Sequence, residues 1–153
     1  MSDQPAPPDL SAGSLLRVIP VGQQEVHDGV AILLYSLEVY AEGIHAVMRV
    51  SWSGGGGMLP RLAWVLRDDR GNSYIHFGCG GSGGGRLPND FSWRAGCTFA
   101  PGITPDAREL TLELGSLRLQ LLQPGAGVSL MPPLESTREV RGPWRFTIPL
   151  APA

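Results

Sequence analysis

Apolar residues along this chain recur at every second position, and no stretch keeps helical spacing for three turns without a glycine or proline. Leu110, Leu112 and Leu114 alternate with Thr111 and Glu113, and beyond Gly115-Ser116 the alternation resumes with Leu117, Leu119 and Leu121. Such alternation places apolar side chains on one face of a strand. With Gly115-Ser116 as a loop, Leu114 faces Leu117, Leu112 faces Leu119, and Glu113 meets Arg118 on the other face. Glycine at the first loop position suits a type II′ turn, so the pattern predicts a hairpin over residues 110–121.

A second hairpin is predicted over about Val30–Trp52. Leu33, Tyr35, Leu37 and Val39 share one parity, and Ile44, Ala46, Met48, Val50 and Trp52 share another. An even-length loop around Ala41-Glu42-Gly43 brings the two sets to one face, with Gly43 free to adopt a positive φ and His45, Arg49 and Ser51 facing outward. A third hairpin is expected from Leu62 to Phe77, with Leu62, Trp64 and Leu66 leading into the turn cluster Asp68-Asp69-Arg70-Gly71-Asn72. An even loop there puts Ile75 and Phe77 beside Trp64, the more apolar of the two choices; an odd loop puts Tyr74 and His76 there instead. Leu15–Val21, interrupted by Pro20, reads as an edge strand. Phe91–Phe99 and the run Trp144, Phe146, Ile148, Leu150 read as two more.

Residues 53–60, 78–90 and 123–143 are rich in glycine or proline and read as loops. About eight or nine short strands with turns at near-regular spacing predict an all-β fold, an antiparallel sandwich or a barrel. Residues 1–13 read as a flexible N-terminal tail, and 14–153 as a single domain. The length of 153 residues fits one domain and no more.

Composition narrows the function classes. Charged residues are 17% of the chain and the net charge is −2, which argues against a basic nucleic-acid binder. All 12 cations are arginine, so chemistry that needs a lysine is excluded. The N-terminal stretch has no basic region followed by an apolar one, and the longest apolar run, Val30–Leu37, is too short to span a bilayer as a helix. The expectation is a cytoplasmic protein, without membrane partner, whose Cys79 and Cys97 are reduced.

The candidate chemistry is sparse. Neither glycine run is followed by a helical pattern or by Lys-Ser/Thr, so a phosphate loop is not supported. His76, Cys79 and Cys97 have the types of zinc ligands, but a structural zinc site takes four, commonly in close pairs, and Cys97 has no near partner. A Cys79–Cys97 disulfide fits a cytoplasmic chain poorly, which leaves two unlinked thiols as the expectation. Asp68 and Asp69 lack calcium-loop spacing and are better explained as turn formers. No nucleophile motif accompanies His27, His45 or His76, and no cofactor is implied. Trp93, Arg94 and Asp90, beside a glycine run, together with Tyr40, are the candidate contact residues for a partner or a carbohydrate.

Three segments carry a family resemblance: Leu66–Tyr74 with the glycines after it, Phe99-Ala100-Pro101 running to Ala107–Leu112, and the closing Gly142-Pro143-Trp144-Arg145-Phe146-Thr147-Ile148-Pro149-Leu150. Together they resemble uncharacterised bacterial immunoglobulin-like sandwich domains, related to modules in the extracellular parts of some anti-sigma factors, where a Gly-x-Trp-x-Phe strand closes the domain. The resemblance covers roughly residues 30–150 and implies a fold without an active site. The expected function is a non-enzymatic interaction module that binds a protein partner or itself through strand edges or glycine-rich loops, with a carbohydrate-binding sandwich or a small hydrolase as alternatives.

Overall fold

The computed structural model describes residues 7, 8, 10, 14–53, 57–87, 90–121 and 137–150. Among them are nine strands: β1 (Leu15–His27), β2 (Val30–Tyr40), β3 (Ile44–Ser53), β4 (Gly57–Leu62), β5 (Val65–Asp68), β6 (Ser73–Leu87), β7 (Asp90–Ala100), β8 (Glu109–Leu121) and β9 (Thr137–Pro149). All pairings are antiparallel, and the described residues contain no α-helix. Five strands run in the order β1-β2-β3-β7-β6, and β8 is flanked by β9 on one side and by β4 and β5 on the other. The first residues of β6 pair with β5 and the rest with β7, so one strand turns the corner between the two groups. At the opposite side Gln23 of β1 donates to the Thr147 carbonyl of β9 at 3.0 Å, which leaves the sheet nearly closed and barrel-like.

Turn chemistry explains the β1–β2 junction. His27 pairs with Val30 across Asp28-Gly29, and both loop residues have positive φ, 49° and 80°. Asp-Gly is a preferred sequence for such a two-residue turn, because glycine and aspartate tolerate the left-handed region best. β1 is an edge strand as expected, with a register shift between Pro20 and Gln23.

The predicted 110–121 hairpin is not formed. Residues 109–121 are one strand, paired to β9 with Leu114 opposite Trp144, Leu112 opposite Phe146 and Leu117 opposite Val140. Between Leu114 and Ser116 the register shifts, and two residues of β9, Gly142 and Pro143, stand opposite Gly115 alone. A bulge of this kind switches which parity faces inward. Leu110, Leu112, Leu114 and Leu117 therefore all lie in the core despite the change of parity. A turn and a bulge at Gly115-Ser116 have the same apolar signature, and only the partner strand distinguishes them.

The 30–52 hairpin forms, with Val39 opposite Ile44 and Leu37 opposite Ala46. A shift between Leu34 and Ser36 again changes the parity, so Val30, Ile32 and Leu34 are buried where Leu33 and Tyr35 were expected. In the third hairpin Leu66 pairs with Tyr74, which is buried, and Ile75 is half exposed. The loop is thus odd, contrary to the even one expected. Its cause is Asp68, whose carboxylate organises the turn from within through hydrogen bonds from Arg70, Asn72 and Tyr74. Leu62, Trp64, Leu66, Trp144, Phe146 and Ile148 are core residues as expected. Trp144 closes the core by donating its indole N–H to the Val30 carbonyl at 3.1 Å.

All three predicted loops are strand in part. Gly78–Leu87 continue β6, with Gly78 to Gly84 paired in turn to β7 and a register shift before Leu87 meets Asp90. Glycine lacks strand propensity, but a ladder of backbone hydrogen bonds to a well-packed neighbour overrides that. Residues 57–60 and 137–143 belong to β4 and β9. The remainder of those loops, and most of the N-terminal tail, lie outside the described residues.

Candidate functional site

Alternation along β2, β3, β7 and β6 turns one set of side chains into the core and the other onto the outer face. Cross-strand register aligns the outer set in rows: Glu38, His45, Thr98 and Gly78 in one, Ser36, Val47, Gly96 and Gly80 in the next. The rows are bulky at the β2–β3 end and bare at the β7–β6 end. The result is a groove of about 890 Å³, lined among others by Glu38, Tyr40, His45, Arg94, Thr98 and the glycines at 78, 80, 81 and 96.

Glycine at position 96 leaves the room that the His45 ring occupies. A Cβ there would collide with the His45 imidazole, which lies across β7 with Nδ1 3.2 Å from Thr98 Oγ1. Tyr40 donates its hydroxyl to Glu38 Oε1 at 3.3 Å. Partial burial, then the Glu38 charge and this hydrogen bond, push the Tyr40 phenol up from its ordinary value. The exposed Arg94 guanidinium sits 5.7 Å from the Tyr35 ring centroid, an arrangement that holds a cation against an aromatic face. Pro7, Pro8 and Leu10 of the N-terminal segment also line the groove. They rest at its end beside the β2–β3 turn. A Cβ on Gly43 would lie 3.2 Å from Leu10 Cδ2, 3.3 Å from Pro8 Cγ and 2.5 Å from the Phe99 carbonyl oxygen. Gly43 thus serves this turn by leaving space, and it is not among the glycines with positive φ.

Two of the four candidate contact residues, Arg94 and Tyr40, meet at this groove. Trp93 does not. It is 2% exposed, because it shares the inward parity of Ala95, Cys97 and Phe99. That alternation was present in the sequence and outweighs the polar neighbours that suggested exposure. Asp90 begins β7 opposite Ser53, and its side chain lies outside the described residues. His45, Glu38 and Thr98 were not singled out as a group; only strand register, which sequence spacing does not reveal, aligns them.

The cysteines depart from expectation. Cys79 and Cys97 are directly opposed on β6 and β7 and form a disulfide. His76 Nε2 lies 3.4 Å from Cys79 Sγ, and its ring stacks on Phe99 with centroids 4.9 Å apart. Burial pushes the His76 imidazole down from its ordinary value, opposed by a hydrogen bond to the Gly78 backbone.

Asp68 is a buried carboxylate with a structural task. Its Oδ1 accepts from the Arg70 and Asn72 backbone N–H groups at 2.9 and 3.0 Å. Its Oδ2 accepts from Asn72 Nδ2, Tyr74 Oη and Thr104 Oγ1 at 3.0, 2.9 and 3.1 Å. Asp69 Oδ1 accepts from the Arg108 and Glu109 backbone N–H groups at 2.9 and 3.3 Å. Both aspartates therefore act as the turn formers that the sequence suggested.

No family model and no curated protein matches the chain. A solved structure does: it is similar to the crystal structure of a conserved domain protein from Bacillus anthracis, with a TM-score of 0.55 and 17% identity. The match covers 88% of this chain and 48% of that one, so the chain spans about half of its structural relative. At this identity the likeness concerns the fold. Among the described residues no helix is long and apolar enough to cross a membrane.

Proposed function

We propose that this protein is a non-enzymatic interaction module whose outer-face groove binds an extended, proline-containing polypeptide segment. The observation that carries this reading is the position of Pro7, Pro8 and Leu10 in the groove, where the chain supplies a proline-containing segment of its own. Proline restricts the unbound segment, so less entropy is lost on docking, and aromatic-lined grooves accept its ring faces. Tyr40 and His45 provide such faces, and Arg94 and Glu38 offer charge to flanking residues. The glycines of β6 and β7 let a segment approach the sheet closely. A second copy of the chain carries the same segment, so exchange between copies is the self-association that this reading allows.

The immunoglobulin-like sandwich remains the proposed finer description of the fold, supported by antiparallel strand groups enclosing one core. The resemblance to anti-sigma extracellular modules also favours a binding role over catalysis. The carbohydrate alternative loses its main platform with Trp93 buried. One observation favours a hydrolase as a second reading, the 3.2 Å approach of His45 Nδ1 to Thr98 Oγ1. Ester hydrolysis abolished by Thr98→Ala would establish it.

The binding proposal is tested on the full-length chain with a fluorescent peptide of residues 3–12, comparing wild type with a Pro7→Ser, Pro8→Ser, Leu10→Ser variant. Releasing the internal segment makes the groove available, so the variant binds more tightly, by about tenfold if the segment occupies the groove nine-tenths of the time. Tyr40→Ala added to that variant removes binding. No saturable binding to the released variant would overturn the proposal.

A further inference from the structure

We propose that His76, Cys79 and Cys97 form a redox-gated metal site, closed by the disulfide and able to hold zinc once the cysteines are reduced. This goes beyond the binding role of the groove and does not depend on it.

The fold brings these donors together by a specific device. Residues 76 and 79 are an odd number of positions apart, and in a regular strand they would point to opposite faces. The register shift between His76 and Gly78 removes one residue from the alternation, and Gly78 at φ 124° accommodates it. His76 then joins Cys79 on the side where the pairing partner Cys97 lies. The imidazole nitrogen and both sulfur atoms fall within 4.8 Å of one another. The His76 Nε2 to Cys79 Sγ distance of 3.4 Å approaches the roughly 3.5 Å edge of a tetrahedron with Zn–N near 2.05 Å and Zn–S near 2.3 Å.

The histidine is also held in place. Phe99 fixes its plane by stacking, and the Gly78 backbone hydrogen-bonds to the ring. A backbone partner that orients a histidine ring is the usual second support of a metal-ligating histidine. His76 and Cys79 are half-buried and Cys97 is buried, so the cluster remains reachable from solvent with a coordination position open. The chemistry balances with a dithiol reductant. It gives two electrons and two protons to the Cys79–Cys97 bond, yielding two thiols and its own disulfide; the incoming cation then displaces both thiol protons as the thiolates bind.

The test is a titration of the full-length protein with cobalt(II), a spectroscopic stand-in for zinc, after reduction and removal of the reductant under inert gas. The reduced protein is expected to develop thiolate-to-cobalt charge-transfer absorption that saturates at one equivalent and is displaced by zinc, and the oxidised protein to develop none. The absorption is lost in Cys79→Ser, and in His76→Ala its half-saturation moves to higher cobalt concentration. Absence of the absorption in reduced protein would overturn the proposal, as would a His76→Ala titration that matches wild type. Loss of the β-type circular dichroism on reduction would overturn it too, since the site needs the β6–β7 register.

Discussion

Asp68→Asn removes a buried negative charge while keeping its shape, and the consequences follow from the hydrogen bonds it accepts. The carboxylate takes two from backbone N–H groups and three from Asn72, Tyr74 and Thr104. Burial alone would raise its pKa; the hydrogen bonds from Asn72, Tyr74 and Arg70 outweigh burial and hold it at about 2, against an ordinary 3.8. That difference is worth on the order of 2 kcal/mol of stability, at about 1.36 kcal/mol per pH unit. The sign follows from the direction of the shift. With the folded value below the unfolded one, the stabilisation is complete above the unfolded pKa and is lost as pH falls through the folded one. An asparagine amide presents one acceptor oxygen and an NH₂ group that confronts donors, although the Tyr74 and Thr104 hydroxyls can rotate to accept from it. The expected loss at neutral pH is therefore about 2 kcal/mol, shrinking as pH falls below about 4 and approaching zero only below about pH 2. Urea denaturation of both proteins across that pH range, with the disulfide intact, measures it. A loss below about 0.5 kcal/mol at neutral pH, or one that does not change with pH, would refute the reasoning.

Two further predictions concern the core. Trp144→Phe leaves the buried Val30 carbonyl without its indole donor, and a loss of about 1–3 kcal/mol is expected in chemical denaturation, more than the removed ring area alone explains. Deleting Gly115 leaves Ser116 alone in β8 opposite the β9 residues Arg141, Gly142 and Pro143, so the Leu114–Trp144 and Leu117–Val140 pairings can no longer hold together; a loss of at least about 2 kcal/mol and a lower midpoint in thermal denaturation are expected.

The fold class was legible because period-two alternation is a direct consequence of strand geometry. Trp64, Leu66, Trp144, Phe146 and Ile148 reached the core as their parity required. Three errors share one physical origin, that parity is a local signal and register is not. Gly115-Ser116 changes parity whether it turns the chain or bulges it. Tyr35 and Leu33 lost their expected places to a bulge opposite β3. The Asp68 turn took an odd length because hydrogen bonds to a buried carboxylate set it, which outweighed the preference for burying Ile75 over Tyr74. The Asp28-Gly29 turn was available in the sequence and fits the known preference for that dipeptide. At the site, Tyr40 and Arg94 were legible as outward polar positions, and Trp93 shares the inward parity of Ala95, Cys97 and Phe99 in the sequence itself. The His45–Thr98 and Cys79–Cys97 pairings were not legible as such, since both depend on β7 lying between β3 and β6.

The most direct test of the groove as a docking surface is a two-dimensional amide NMR titration of the full-length Pro7→Ser, Pro8→Ser, Leu10→Ser variant with the peptide of residues 3–12. Glycine amides resolve well, and Gly78, Gly80 and Gly96 mark the groove floor. The account predicts saturable shifts concentrated on those three glycines and on Tyr40, His45 and Thr98. Shifts that are absent, or that fall on β8 and β9 on the far side of the core, would contradict it.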